Sequence, residues 1–167
     1  MKYIEEKAED LLTQLKVNKL PINPKVCAEK LNLTVEAAML EDDISGIFLA
    51  ENSEYYIIYN KNEGTLRQRF TIAHELGHFI LHKDLGVFVD RKSTALYRNS
   101  SSATGEVLKE REANAFAAAL LMPRILIEKE LDAISESEDI IEILADKFKV
   151  SKPAMSFRLS NLGYELF

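Results

Sequence analysis

The run His74-Glu75-Leu76-Gly77-His78 places two imidazoles and a carboxylate within five consecutive residues. On a helix of 3.6 residues per turn, His74 and His78 lie one above the other on one face, about 6 Å apart at their stems, and both can reach a single ion. Glu75 projects roughly 100° further around the axis, so it flanks the ion instead of entering its coordination shell. A carboxylate in that position can take a proton from a metal-activated water. The spacing therefore predicts a zinc site with Glu75 as catalytic base. Two blander readings stand beside it: an amphipathic helix that carries the pattern by accident, and a metal site without catalysis, in which Glu75 would have no purpose.

A catalytic zinc keeps three protein ligands and one open position, so His74 and His78 need a partner from elsewhere. Glu112 is the expected one. It precedes by one residue the apolar stripe Ala113, Phe116, Ala117, Leu120 and Leu121, on a helix that must pack against the first, which predicts an inward carboxylate. Glu110, about 160° away around that helix, and His82, which drifts about 40° off the axis of the first histidine pair, are the alternatives. For the electrophile that steadies an oxyanion, Tyr97, Arg98 and His82 are candidates, with a solvated loop as the other reading for the first two.

These side chains need a helix and a scaffold. Thr65, with Gln68 three residues on, predicts a capping box for a helix reaching about His82, whose buried surface is Phe70, Ala73, Leu76, Gly77, Ile80 and Leu81. Gly77 costs about 1 kcal/mol against alanine inside a helix, which implies that another backbone approaches there. Upstream, Lys2 to Val17 reads as an amphipathic helix and Asn23-Pro24 as the capped start of a short one. Thr34 to Leu40, Ile44 to Leu49 and Tyr55 to Tyr59 read as three strands of a small antiparallel sheet, with a turn at Glu51 to Glu54. Tyr56, Ile58 and Asn60 are candidate peptide-binding positions if the last strand offers an exposed edge, an interior strand being the alternative. Arg91 to Gly105 reads as a long loop and the cleft wall. Helix resumes near Glu106 and runs to Met122, followed by helices over about 123–133, 138–148 and 152–162, the last capped by Ser151 and closed by Gly163.

The chain has 167 residues, enough for one domain and too few for two ordinary ones. Lys plus Arg number 21 against 27 Asp plus Glu, a net charge of −6; that charge lacks the electrostatic footprint of a nucleic-acid binder. Cys27 is the sole cysteine, read as a buried core thiol. With neither a signal-peptide start nor a membrane-length apolar run, a cytoplasmic protein without membrane contact is expected. Its oligomeric state is not encoded in any visible pattern.

The residues Gln68 to His78, Glu112-Ala113-Asn114-Ala115-Phe116-Ala117 and Leu120-Leu121-Met122-Pro123 together resemble the ImmA/IrrE family of bacterial metallopeptidases, a likeness spanning roughly Leu20 to Pro123 and including the Ser45-Gly46 strand. The resemblance implies an α+β fold with a compact thermolysin-like zinc-peptidase core, the three-stranded sheet packed on a mainly helical bundle. It also implies zinc held by His74, His78 and Glu112, with Glu75 as base. Better-known members of that family cleave a helix-turn-helix repressor or transcription factor, often of a mobile element.

Residues 138–167 form a C-terminal subregion that itself resembles a helix-turn-helix, with Val150-Ser151 at the turn. From Asp146 onward it carries Lys147, Lys149, Lys152 and Arg158 against Asp146 and Glu165, a modest excess for phosphate binding. Packing against the peptidase core, protein recognition and DNA binding are its three readings. The expectation for the whole, residues 1–167 as one metallopeptidase domain, is a zinc-dependent endopeptidase acting on a regulatory protein. The alternative is a non-catalytic, metal-containing regulatory module that binds a protein or DNA.

Overall fold

The computed structural model describes residues 1–92, 101–134 and 139–164. Its elements run α1 (Lys2–Gln14), α2 (Pro24–Lys30), β1 (Thr34–Ala38), β2 (Ile44–Glu51), β3 (Glu54–Asn60), α3 (Thr65–His82), a 3-10 turn (Lys83–Leu85), β4 (Val87–Arg91), α4 (Ser101–Leu121), α5 (Arg124–Leu131), α6 (Ile140–Phe148) and α7 (Lys152–Asn161). The fold is α+β: one open sheet lies against α3, and α4 packs along the other side of that helix. Ala73 and Leu76 of α3 and Phe116, Ala117 and Leu120 of α4 are buried together in a core that also takes Phe48 and Ile57 from the sheet.

Local chemistry explains most boundaries. Asn23 Oδ1 accepts from the backbone N–H groups of Lys25 and Val26 at 3.1 and 3.2 Å, with Pro24 at the first helical position of α2. Ser151 Oγ accepts from Ala154 N–H to start α7, and Gly163, at φ +88°, ends it. The β2–β3 turn places Asn52 and Ser53 both at positive φ, as a two-residue hairpin of the twisted kind requires. Cys27 is fully buried, and burial pushes its thiol up to about 11.

The sheet departs from the expected three antiparallel strands. Its order is β1-β3-β2-β4, with β1 parallel to β3 and the other pairs antiparallel. β4 fills the residues ahead of the expected loop, for which no element was expected, and takes in that loop's first residue, Arg91; Val87, Phe88 and Val89 carry the β-branched and aromatic character of a strand. At the other side of that stretch α4 starts at Ser101, not Glu106, so the helix takes in Gly105. The capping box is also absent: Gly64 is the N-cap of α3, and Gln68 Nε2 instead donates to the carbonyls of Glu63 and Lys61 at 2.7 and 3.2 Å.

β3 lies between β1 and β2, so both of its edges are paired. Tyr56, Ile58 and Asn60 therefore offer no free backbone to a peptide. Asn60 is buried and donates to the carbonyls of Leu40, Glu41 and Ile44, closing the preceding loop. Among the described residues the outer strand beside the histidine helix is β4, paired only with β2.

Candidate metal centre

Glycine sets the two contacts that bring the site together. At Gly77 a Cβ would stand 3.2 Å from both the Cα and the carbonyl oxygen of Ala113, so α3 and α4 meet backbone to backbone at the level of the motif. At Gly46 a Cβ would stand 2.4 Å from Thr71 Cγ2 and 3.0 Å from Glu75 Oε1, so β2 can lie on α3 at Glu75 only because this residue has no side chain. A bulge between Ile44 and Gly46 accompanies that approach. Ser45 Oγ within it donates to Glu63 and accepts from Arg67, which also pairs with Asp90 at 3.2 Å.

His74 and His78 are buried, and their Nε2 atoms face each other at 3.1 Å. The carboxylate that joins them belongs to Glu110, with one oxygen 3.2 Å from His74 Nε2 and the other 3.1 Å from His78 Nε2. A tetrahedral zinc with bonds of about 2.0–2.1 Å holds its donor atoms about 3.3 Å apart. The two imidazole nitrogens stand close to that separation, each has one Glu110 oxygen near it, and one ligand atom from each of the three residues lies within 4.8 Å of the others; Glu110, partly exposed, leaves the site approachable.

Glu112, the expected third ligand, is elsewhere: its Oε2 lies 2.9 Å from His82 Nε2. Glu110 and Glu112 flank the buried stripe of α4 on opposite sides, at about 70° and 90° from its centre, so proximity to the stripe does not distinguish them. The crossing at Gly77 and Ala113 turns the Glu110 flank toward His74 and His78. Asn114, one turn after Glu110 and on the same face, accepts at 2.9 Å from His74 Nδ1 and so directs Nε2 to the shared centre.

Glu75 is fully buried, and neither carboxylate oxygen has a hydrogen-bond partner among the described residues. An unpaired buried carboxylate is costly unless something charged or hydrogen-bonding is delivered to it, which fits an adjoining cation and water. Burial pushes its pKa up to about 8, against the pull of His74. Burial also works against charge on His74, yet the Glu110 hydrogen bond and the Glu75 carboxylate outweigh it and raise that imidazole to about 9. Glu110 shows the converse: burial is overcome by its contacts with the His74 and His78 imidazoles, holding the carboxyl at about 2. At His78 burial prevails and the pKa falls.

His82 is not free to steady an oxyanion, because Nδ1 lies 3.2 Å from His78 Nδ1 and Nε2 is held by Glu112. Tyr97 and Arg98 lie outside the described residues. Two site neighbours come from β4, where no strand was expected. Phe88 stacks on His78 with ring centroids 4.1 Å apart, and an Asp90 oxygen lies within 4.8 Å of ligand atoms of His74 and Glu75.

Residues 28–160 match the family of IrrE N-terminal-like domains. The chain belongs to that family. Metallopeptidase ImmA of Bacillus subtilis (strain 168) is 32% identical over 111 residues, covering 66% of this chain and 59% of that protein. A Mycobacterium tuberculosis transcriptional regulator has the same fold, with a TM-score of 0.68 at 19% identity over 96% of this chain and 47% of that one. The chain thus spans about half to three-fifths of these relatives' lengths. His74, His78 and Glu110, two buried histidines and a partly buried glutamate in an ImmA/IrrE family member, form a group that could hold a metal ion. No helix among the described residues is long and apolar enough to cross a membrane.

Proposed function

We propose that this chain is a zinc-dependent endopeptidase, folded as one metallopeptidase domain, which hydrolyses a peptide bond in a regulatory protein in the cytoplasm. The observation that carries the reading is the triangle of His74, His78 and Glu110 donors with the Glu75 carboxylate beside it, which has no hydrogen-bond partner among the described residues. Nitrogen and oxygen donors with an open fourth position suit zinc. Zinc bound there supplies Lewis acidity to water and to the scissile carbonyl. Glu75, buried beside the triangle with its carboxylate unsatisfied among the described residues, is placed to accept a proton from the attacking water and return it to the leaving amine. Asn114 keeps the His74 ring in register, and Phe88 covers His78 on its open face.

The substrate reading is strand addition along β4, the outer strand whose Phe88 and Asp90 border the centre. A helix-turn-helix repressor is the substrate class suggested by the resemblance of this chain to ImmA/IrrE peptidases. The rival, a DNA-binding regulatory module, draws little support from α6 and α7. Each of the four cations of this helical pair and its turn has a carboxylate partner: Lys147 with Glu130, Lys149 with Asp146, Lys152 with Glu142 and Arg158 with Glu5. Leu144, Phe148, Met155 and Leu159 bury this pair in the common core.

The test is incubation of the zinc-loaded protein with purified helix-turn-helix repressors, beginning with any encoded in a neighbouring gene, followed by mass spectrometry of the products. One defined cut, lowered about 100-fold or more by Glu75→Gln at unchanged zinc content, is expected. Retention of full activity by Glu75→Gln would instead favour the regulatory module.

A further inference from the structure

The motif helix carries a third histidine and the facing helix a second glutamate that the metal triangle does not use. His82 is almost entirely buried, and its two ring nitrogens are both engaged, Nδ1 with His78 Nδ1 at 3.2 Å and Nε2 with Glu112 Oε2 at 2.9 Å. Only one proton arrangement is compatible with a metal at His78 Nε2. That nitrogen must present a lone pair, so the His78 proton resides on Nδ1 and is donated to His82 Nδ1. His82 then carries its own proton on Nε2 and donates it to the Glu112 carboxylate, which can only accept. The reverse arrangement would put the proton on His78 Nε2, where Glu110 can accept it at 3.1 Å, and would block coordination there; it is the tautomer that competes with the metal.

We propose that Glu112 and His82 form a positioning relay that selects the metal-binding tautomer of His78 and fixes its ring plane, an inference that rests on the metal centre argued above. The relay has a parallel at the other histidine, where Asn114 takes the Nδ1 proton of His74 directly. Two ligands are thus oriented by one helix, α4, through side chains on the two flanks of its buried stripe. Phe88 lies over His78 and 5.8 Å from the His82 ring, so an apolar wall shields the shared hydrogen bond from solvent and strengthens it. Neither His82 nor Glu112 touches the reacting atoms in this arrangement; both act through His78.

The relay is tested on the full chain by competing it against a chromogenic chelator for zinc and for cobalt. His82→Leu and Glu112→Leu are each expected to weaken metal binding about 10- to 100-fold. The double variant should be no weaker than the worse single one, because both changes break the same chain of hydrogen bonds. His82→Gln should recover most of the loss, since its amide oxygen accepts from His78 and its amide N–H donates to Glu112. The visible spectrum of the cobalt form should shift in the leucine variants and return in His82→Gln, while the melting temperature of the metal-free proteins reports folding separately. Parent-like affinity in His82→Leu, additive losses in the double variant, or a glutamine variant no better than leucine would each overturn the relay. His78→Ala separates this from failure of the centre itself: if the parent binds no metal, or His78→Ala binds as the parent does, the centre is wrong and the relay falls with it.

Discussion

At the scale of single residues, the site depends as much on atoms that are missing as on those present. Gly46 leaves room for Thr71 and Glu75, and both of those side chains are fully buried and cannot retreat. Gly46→Ala is expected to destabilise the protein by about 1–3 kcal/mol, as overpacking does. Because the added methyl presses on the Glu75 carboxylate, peptide hydrolysis should fall by more than this stability loss explains, which activity assayed well below the melting transition would reveal. Glu110 and Glu112 separate by the same logic: Glu110→Ala removes a ligand, whereas Glu112→Ala leaves all three in place. Chelator competition should find the Glu110 variant the weaker zinc binder by at least about tenfold; the opposite ranking would restore Glu112 as the ligand. The motif histidines and Glu75 were legible in their spacing. The choice between two glutamates on one helix was not, since both flank the buried stripe.

At the scale of elements, the decisive contact is the crossing of α3 and α4. Replacing a helical glycine with alanine ordinarily gains about 1 kcal/mol from propensity. At Gly77 the new methyl would meet the backbone of Ala113 at 3.2 Å, and backbone cannot swing aside as a side chain can. Gly77→Ala should therefore lower the melting temperature, and it should weaken zinc binding as well, because separating the helices draws Glu110 away from the two histidines. An unchanged zinc affinity with intact stability would show that the crossing tolerates the methyl. The approach at Gly77 was legible as a costly glycine in an amphipathic helix. β4 was not expected: the five residues that lead into the polar stretch form a strand because β2 offers them a partner edge. Placing that strand outermost also moves the predicted peptide contact, so a proline in the substrate at a position paired with β4 should reduce cleavage.

At the scale of the whole molecule, charge and protonation are organised around the metal centre. In the metal-free protein the Glu110 hydrogen bond and Glu75 hold a proton on His74 up to about pH 9. A metal must displace it, and a cation beside Glu75 also favours the loss of its proton, so at least one proton leaves per ion bound and zinc affinity should climb about tenfold or more per pH unit between roughly pH 6.5 and 8. Isothermal titration in buffers of differing ionisation enthalpy counts that proton; a flat profile would mean that His74 is neutral before the metal arrives. The C-terminal helices show the same ordering at long range. Arg69 donates to the carbonyls of Ile22, Phe148 and Lys149, and Arg158 to the Met122 carbonyl and the Glu5 carboxylate, fastening α6 and α7 to the rest of the chain.

The sequence by itself determined what repeats along one helix: two histidines at i and i+4, a glutamate beside them, a glycine where a neighbour must come close, and the caps that start α2 and α7. Those signals are local, since each depends on residues within about one turn of one another. Which flank of α4 faces the histidines, which strand lies at the edge of the sheet, and how the C-terminal cations are paired were decided only by tertiary structure. Helix crossing angle and strand order depend on the packing of surfaces distant in sequence, and the same apolar stripe is compatible with either glutamate until that packing is complete.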